Sequence, residues 1–443
     1  VEAVAMDKDL RYEADAKAKE VETLFNFEST GGILNTVEKC NGSGDCRKLS
    51  FAGGTMCPSY RATLDEKDST RGRANVLREF LTQNTKENPF DHPEIKNVMD
   101  LCVSCKACKS ECPSNIDMST LKAEFLFQYQ KVNPVSLRSK LIAHNARINA
   151  LAYRFSAFYN AIGKSSWFKR AIGVHPERSL PTLKSTTLRQ WFSKYKQVEQ
   201  AKVVYLFCDE YTNHYDLEIG KKAIELLVKL GYSVKMPIHP ESARAYISKG
   251  FLNEAKAIAT ENITLFRTLI SKNMPLIGIE PSAILGFRDE YPNLVNTTLK
   301  LDADKVALNT FTIEEFLSNE IDHSRIDVSL FSKSSKTIYY HGHCHQKALS
   351  SNSYAERILS LPINFTVQTI DSGCCGMAGS FGYEKEHYEL SQQIGEDHLF
   401  SALRTVKPDA IVAASGTSCR HQIKDGVNKT ALHPIEVLYN ALN

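Results

Sequence analysis

The sequence predicts an α/β protein in two parts: a small helical, cysteine-rich domain near the amino terminus, then two related lobes with mostly parallel sheets. Three observations carry this. Four cysteines crowd into Cys102-Val-Ser-Cys105-Lys-Ala-Cys108-Lys-Ser-Glu-Cys112-Pro113, flanked by helical periodicity. From residue 201 onward, short apolar runs alternate with helical patterns, the signature of buried parallel strands joined by helices. The ends of the later runs also repeat, in their spacing, the ends of the earlier ones.

Taken in order, residues 1–36 form an extension that is polar and loop-like, with Leu10-Arg-Tyr12 and Gly31-Gly32 offering little local structure. Residues 37–135 hold both cysteine motifs, joined by a helix over 69–83 and followed by one over 118–131 that Asp117 or Ser119 can cap. Residues 136–200 comprise a helical run over about 135–160 and a basic, Ser/Thr-rich linker over 164–196. The linker's charges, such as Lys169 and Arg170, read as a solvated face. Residues 201–330 and 331–443 are the two lobes. Strands are expected at 203–207, 233–237, 276–279, 337–340, 365–369 and 410–414, and helices at 217–230, 242–259 and 384–403.

The run at Cys102, Cys105 and Cys108 is the C-x2-C-x2-C triplet that wraps one corner of an iron–sulfur cube, and Cys112-Pro113 is the fourth cysteine that serves a neighbouring cluster. Thiolates suit iron because they are soft, charged donors that a short loop can deliver together. The plainer readings are a zinc knuckle or a disulfide scaffold, but zinc sites favour two separated C-x2-C pairs rather than a four-cysteine run ending in Cys-Pro. A second, imperfect copy lies upstream. Cys40 and Cys46 are the outer members of such a triplet with Ser43 in the middle slot, and Cys57-Pro58 matches Cys112-Pro113. Under cross-ligation, Cys102, Cys105 and Cys108 take Cys57 to complete a [4Fe–4S] cluster, while Cys40 and Cys46 share a second centre with Cys112. That centre is one thiolate short. It is either [3Fe–4S], or [4Fe–4S] completed by a group such as the Ser43 hydroxyl; the plainer alternative makes Cys40 and Cys46 ordinary buried thiols.

The repeat holds the remaining chemistry. In the later lobe, strands end at His341-Gly-His343-Cys344-His345, at Asp371-Ser-Gly-Cys374-Cys375-Gly376 and at Ser415-Gly-Thr-Ser-Cys419. Their counterparts are Phe207-Cys208-Asp209, His239-Pro-Glu241-Ser242 and Glu280-Pro-Ser282-Ala283, so the first copy has lost most of its sulfur. Loops at the carboxyl ends of parallel strands converge, which lets Cys344, Cys374, Cys375 and Cys419 meet as a metal site. An extended iron–sulfur cluster, a zinc ion with help from His343 or His345, and a redox-active thiol pair all fit these residue types. His341 alone reads as packing. The two lobes are expected to face one another across a crevice.

With 443 residues the chain can bury more than one core, and a net charge of +3 does not suggest a nucleic-acid partner. Twelve cysteines in metal-like spacings point to a reducing compartment. No apolar run approaches the roughly 20 residues needed to span a bilayer and no signal peptide is visible, so a cytoplasmic protein is expected, with any membrane association peripheral at the inner face. The chain opens at Val1, which reads as a fragment.

Cys344, Cys374-Cys375-Gly376 and Cys419 resemble the "CCG" domain of heterodisulfide reductases and of glycolate oxidase iron–sulfur subunits. Gly54-Thr-Met-Cys57-Pro-Ser-Tyr60, Ser69-Thr-Arg-Gly-Arg73 and the Cys102–Pro113 run resemble more narrowly the iron–sulfur half of fused FAD-linked oxidoreductases of the D-lactate or D-2-hydroxyglutarate dehydrogenase type. The resemblance implies a two-cluster ferredoxin-like domain followed by CCG lobes. It further implies a preceding flavin domain, whose trailing edge residues 10–32 resemble, so that FAD sits on a missing or partner domain. Family members often keep cysteines where this chain has Glu241, Ser242 and Ala283. The implied function is electron transfer from FAD, reduced by a 2-hydroxy acid, to a quinone, cytochrome or other acceptor. Thiol/disulfide reduction at Cys374-Cys375 and a structural metal-binding module are the alternatives.

Overall fold

The computed structural model describes residues 20–443, so Leu10-Arg-Tyr12 lies outside the described residues. β1 (Lys202–Phe207), β2 (Tyr232–Lys235), β3 (Leu276–Gly278) and β4 (Thr310–Thr312) form one sheet in the order β2-β1-β3-β4. β5 (Lys336–His341), β6 (Phe365–Thr369), β7 (Ile411–Ala414) and β8 (Ala431–Leu432) form a second in the order β6-β5-β7-β8. All six pairings are parallel. The two orders coincide once each lobe is counted from its own first strand, so the duplication extends to topology.

The lobes pack by exchange of partners. Helix Leu217–Lys229, which follows β1, lies on helix Pro434–Asn440, which follows β8; helix Ile313–Asp322, after β4, lies on helix Ser353–Leu359, after β5. Reciprocal contact of this kind is the geometry of a two-fold interface. Ile224, Leu227 and Leu317 share one apolar core with Ile358, Ile435 and Leu438. The expected crevice between lobes is instead closed by direct bonds: Thr417 N donates to Glu280 Oε2 (2.8 Å), Ser415 Oγ to Glu314 Oε1 (2.7 Å) and Arg420 Nη2 to Asp216 Oδ2 (2.6 Å). Carboxylates in the first lobe reach across to N–H and O–H groups in the second.

The amino-terminal domain is helical, with Thr70–Gln83, Pro93–Asp100 and Met118–Gln130 as its main members and Asp117 capping the last. Gly31-Gly32, which offers little local structure in the sequence, leads into helix Ile33–Glu38, whose Ile33 and Val37 are buried. The backbone N–H groups of Leu24 and Phe25 donate to buried Glu124, so this stretch is tied to the cysteine-rich domain.

The segment after it also differs from expectation. The single helical run over 135–160 is three shorter helices, Leu137–Ala143, Asn145–Ala152 and Ser156–Gly163. The basic linker is no loose surface strap. Arg178 is fully buried and donates to Gly382 O, Gln422 Oε1 and Ser391 Oγ, each at 2.7 Å, pinning the chain to the second lobe. Lys169 is likewise buried, donating to Pro176 O (2.9 Å), while Arg170 remains exposed.

Candidate metal centres

All twelve cysteines are free thiols, so no disulfide scaffold holds the chain together. In the amino-terminal domain the loop from Cys102 to Cys108 turns through left-handed backbone at Ser104 (φ 49°) and Lys106 (φ 62°). Those two reversals let Cys102, Cys105 and Cys108 line one cavity together with Cys57, the set that cross-ligation selects. Cys57 enters from the other motif, at the cap of helix Pro58–Thr63. Its sulfur accepts from Thr70 N (3.2 Å), and burial pushes its thiol up to about 11 although Arg73 pulls the other way. Soft donors converging on a shared cavity, with a backbone N–H already aimed at sulfur, fit an iron–sulfur cube.

Arg71 and Arg73, neighbours on the helix between the motifs, divide in their roles. Arg71 lies 3.7 Å from Glu66 with both side chains well exposed. Arg73 is buried, lines the four-cysteine cavity and donates to Val98 O (2.9 Å). Lys106, in the ligand loop itself, is buried against Asp289, Glu290 and Asp117, which fastens this loop to the first lobe.

The second set is looser. Cys46 is buried, its sulfur accepts from Arg71 N (3.4 Å), and Cys40 is near enough for its charge to raise Cys46, although burial does more. Cys112 is buried at the end of helix Ala107–Glu111, in the same apolar core as Cys46. Ser43 is exposed, with its N–H turned to Asn41 Oδ1 (3.0 Å).

In the second lobe four cysteines arrive from three strand ends. Cys344 opens helix Cys344–Leu349 behind β5, Cys374 and Cys375 sit in the loop behind β6, and Cys419 lies in the first turn of helix Thr417–Val427 behind β7. Gly376 permits the loop, because at φ 91° a Cβ would stand 2.2 Å from Ser391 O. The sulfurs form a chain of contacts. The Cys374 thiol bonds to Cys344, holding the latter down to about 7. Cys374 and Cys419 both bond to Cys375, which is thereby held well below an ordinary thiol. Lys347 is half-buried beside these sulfurs and donates to the carbonyls of Ser372 and Gly373, the two residues before Cys374.

His341, which reads as packing in the sequence, ends β5 at the edge of this site. One of its nitrogens lies within 4.8 Å of both Cys375 Sγ and Cys419 Sγ. His343 instead caps its own helix by accepting from His345 N (3.2 Å), and His345 Nε2 is bonded to Ser104 O (3.0 Å). His345 is thus turned to the amino-terminal domain, while the His343 ring stays near enough for its charge to act on Cys344. The only hint of His341 in the sequence is its place at a strand end three residues before Cys344. Cys208, Ser242 and Ala283, the counterparts in the first lobe, are buried without such a cluster among the described residues.

The two sites touch. His345 meets the Cys102–Cys108 loop through Ser104, helix Cys344–Leu349 packs on helix Ala107–Glu111, and the Cys344 charge helps raise the buried Cys105. Gly373 lies against Gly54 and Thr55, just before Cys57.

Fold and cysteine geometry together are those of an iron–sulfur protein. Residues 39–117 match the 4Fe-4S dicluster domain family. The chain is similar to D-2-hydroxyglutarate dehydrogenase of Escherichia coli (strain K12), with 27% identity across 90% of this chain and 43% of the relative. It is also similar to the C subunit of anaerobic glycerol-3-phosphate dehydrogenase from the same organism, 26% identical across 74% of this chain and 83% of that one. A third relative is its glycolate oxidase iron-sulfur subunit, 23% identical across 90% and 93%. This chain therefore spans less than half the length of its D-2-hydroxyglutarate dehydrogenase relatives. No solved structure matches it. Among the described residues, no helix is long and apolar enough to cross a membrane.

Proposed function

We propose that this chain is the electron-transfer module of a flavin-dependent 2-hydroxy acid dehydrogenase, passing electrons from FAD on a separate domain or subunit to a quinone, cytochrome or other acceptor. Residues 37–135 are the two-cluster unit, 201–330 the lobe without ligands and 331–443 the lobe with a cysteine site. Cys57, Cys102, Cys105 and Cys108 hold a [4Fe–4S] cluster. Cys40, Cys46 and Cys112 hold the second centre, where an exposed Ser43 favours the three-thiolate [3Fe–4S] form. Cys344, Cys374, Cys375 and Cys419 hold a further iron–sulfur cluster or zinc. Iron–sulfur centres supply one-electron chemistry when bound.

The observation that carries this reading is the contact between sites. Burial and then the Cys344 charge raise Cys105, and His345 bonds directly to the loop that carries Cys105. A chain whose two cysteine sites abut is suited to handing charge on. A segment of exposed apolar side chains, Leu151, Phe155, Phe158 and Trp167, interleaved with exposed Arg154, Lys164 and Arg170, supports peripheral attachment to a membrane surface.

Electron paramagnetic resonance of anaerobically purified, dithionite-reduced protein tests the conduit. Signals from at least the Cys57/Cys102/Cys105/Cys108 centre are expected, and Cys105→Ala should remove that signal. Protein that shows no iron–sulfur signal would overturn the reading, and turnover of a disulfide substrate by this chain alone would replace it with thiol/disulfide chemistry.

A further inference from the structure

The second-lobe site contains a donor that is not sulfur. His341 is wholly buried, and its two ring nitrogens have different surroundings. Nδ1 is 2.7 Å from Ser372 Oγ, and that hydroxyl in turn reaches Ile370 O at 3.4 Å. A carbonyl can only accept, so the hydroxyl donates to it and receives the Nδ1 proton. This arrangement favours the tautomer with the proton on Nδ1 and a lone pair on Nε2. Nε2 has no nitrogen or oxygen partner; its one neighbour at hydrogen-bonding range is the Cys375 sulfur. A buried ring nitrogen that faces only sulfur makes a weak hydrogen bond there, whereas the same nitrogen and sulfur are both good donors to a metal.

The Cys375 and Cys419 sulfurs stand beside it, and the three donor atoms lie within 4.8 Å of one another. Atoms bound to one ion at about 2.0–2.3 Å are separated by roughly 3.3–4 Å, so modest closure brings all three onto a single metal. The imidazole also has the outer support that ligating histidines have, a hydrogen bond from the opposite nitrogen to a group that holds the ring in place.

We propose that His341 Nε2 is a metal ligand and that the centre of the second lobe is a mixed nitrogen–sulfur site built on His341, Cys375 and Cys419, with Cys344 or Cys374 available for a fourth position. Its class is a borderline-soft transition metal: zinc, or iron either alone or as one corner of a cluster. This rests on the proposal above that the second lobe binds metal, and it deepens that proposal by naming the non-sulfur donor. The first lobe offers the control, because its corresponding strand ends at Phe207, which carries no ligand.

The test uses the whole chain, purified anaerobically, with metal counted per chain. Zinc is examined by X-ray absorption at its own edge, and iron by pulsed paramagnetic resonance on protein labelled with nitrogen-15 in histidine. The expected result is a nitrogen donor in the wild type that disappears in His341→Ala, together with loss of metal equal to one site. Cys57/Cys102/Cys105/Cys108 signals should persist in that variant, so failure of this proposal is distinguishable from failure of the conduit reading. His341→Cys, which replaces nitrogen by sulfur without removing a ligand, should retain the metal while losing the nitrogen signature. An all-sulfur environment in the wild type, or unchanged metal and nitrogen signals in both variants, would overturn the assignment.

Discussion

Behind β1 the chain places Asp209 and Glu210, and behind β5, the same position in the second lobe, it places His343 and Cys344. In both lobes the first of the pair caps a short helix with its side chain: Asp209 accepts from Tyr211 N and Thr212 N at 2.9 Å, and His343 from His345 N. The difference lies in what happens next. Glu210 is buried and spent on Ser242, taking its N–H at 2.9 Å and its hydroxyl at 2.7 Å. Glu280 is spent on Thr417 across the lobe boundary. The thiols of the second lobe are partnered chiefly by one another, with Lys347 and the His341 imidazole beside them. One backbone thus supports two outcomes. Carboxylates that find N–H and O–H donors become stitches, whereas sulfurs and a ring nitrogen that faces them remain available for metal.

The sharpest way to break this comparison is to remove one sulfur from each lobe. Cys375→Ala should abolish metal binding in the second lobe entirely, whereas Cys208→Ala, in the lobe without ligands, should leave metal per chain unchanged. Equal losses would mean that the first lobe is not empty.

A smaller effect is expected from Lys347→Met, which keeps the stem but removes the donor to Ser372 and Gly373. Two buried carbonyls then lose a charged partner, which should cost about 1.5–3 kcal/mol in denaturant unfolding. The same change should raise the Cys344 thiol from about 7, seen as slower alkylation at neutral pH in metal-free protein. Glu280→Ala should cost about 1–2 kcal/mol by leaving Thr417 N–H unpaired at the lobe boundary, with no change in metal content.

The last effect is one of pH and is read as a slope. Burial, followed by the nearby Glu210 charge, pushes Asp209 up to about 8. The native state therefore keeps a proton that the unfolded chain gives up near its ordinary value of 3.8. Between those limits the native state binds more protons, so this group makes stability fall as pH rises from about 4 to about 8. Asp209→Asn, which keeps an acceptor for the helix cap, should flatten the decline in melting temperature across that window. A slope identical to wild type would show that Asp209 is ionised in the fold.

Six of the eight strands are legible in the sequence because each is an apolar run that ends at a turn or a polar pair. β4 and β8 are not, being Thr310–Thr312 and Ala431–Leu432, too short to show any period. Two long helical patterns run through breaks. The one over 242–259 is split at Gly250, whose φ of 76° is left-handed and whose missing Cβ would strike Leu126. The one over 384–403 is interrupted at His398, with φ −146°. Cysteine spacing selects the set that lines the amino-terminal cavity, since ligands delivered by one loop leave a mark in the sequence. It could not reveal His341, because that residue joins the sulfurs only through the strand order. Nor could it reveal Arg178, whose burial depends on Gly382, Ser391 and Gln422, all more than 200 residues away.

The reciprocal packing of helices between the lobes has a consequence for how such a protein can change. Two separate, identical chains meeting in this way would obey their symmetry: a cysteine gained or lost in one would be gained or lost in the other. Carrying both lobes on a single polypeptide lifts that constraint. One half can then keep its thiols while the other drifts to glutamate and serine, and the shared apolar contacts hold the pair in register throughout.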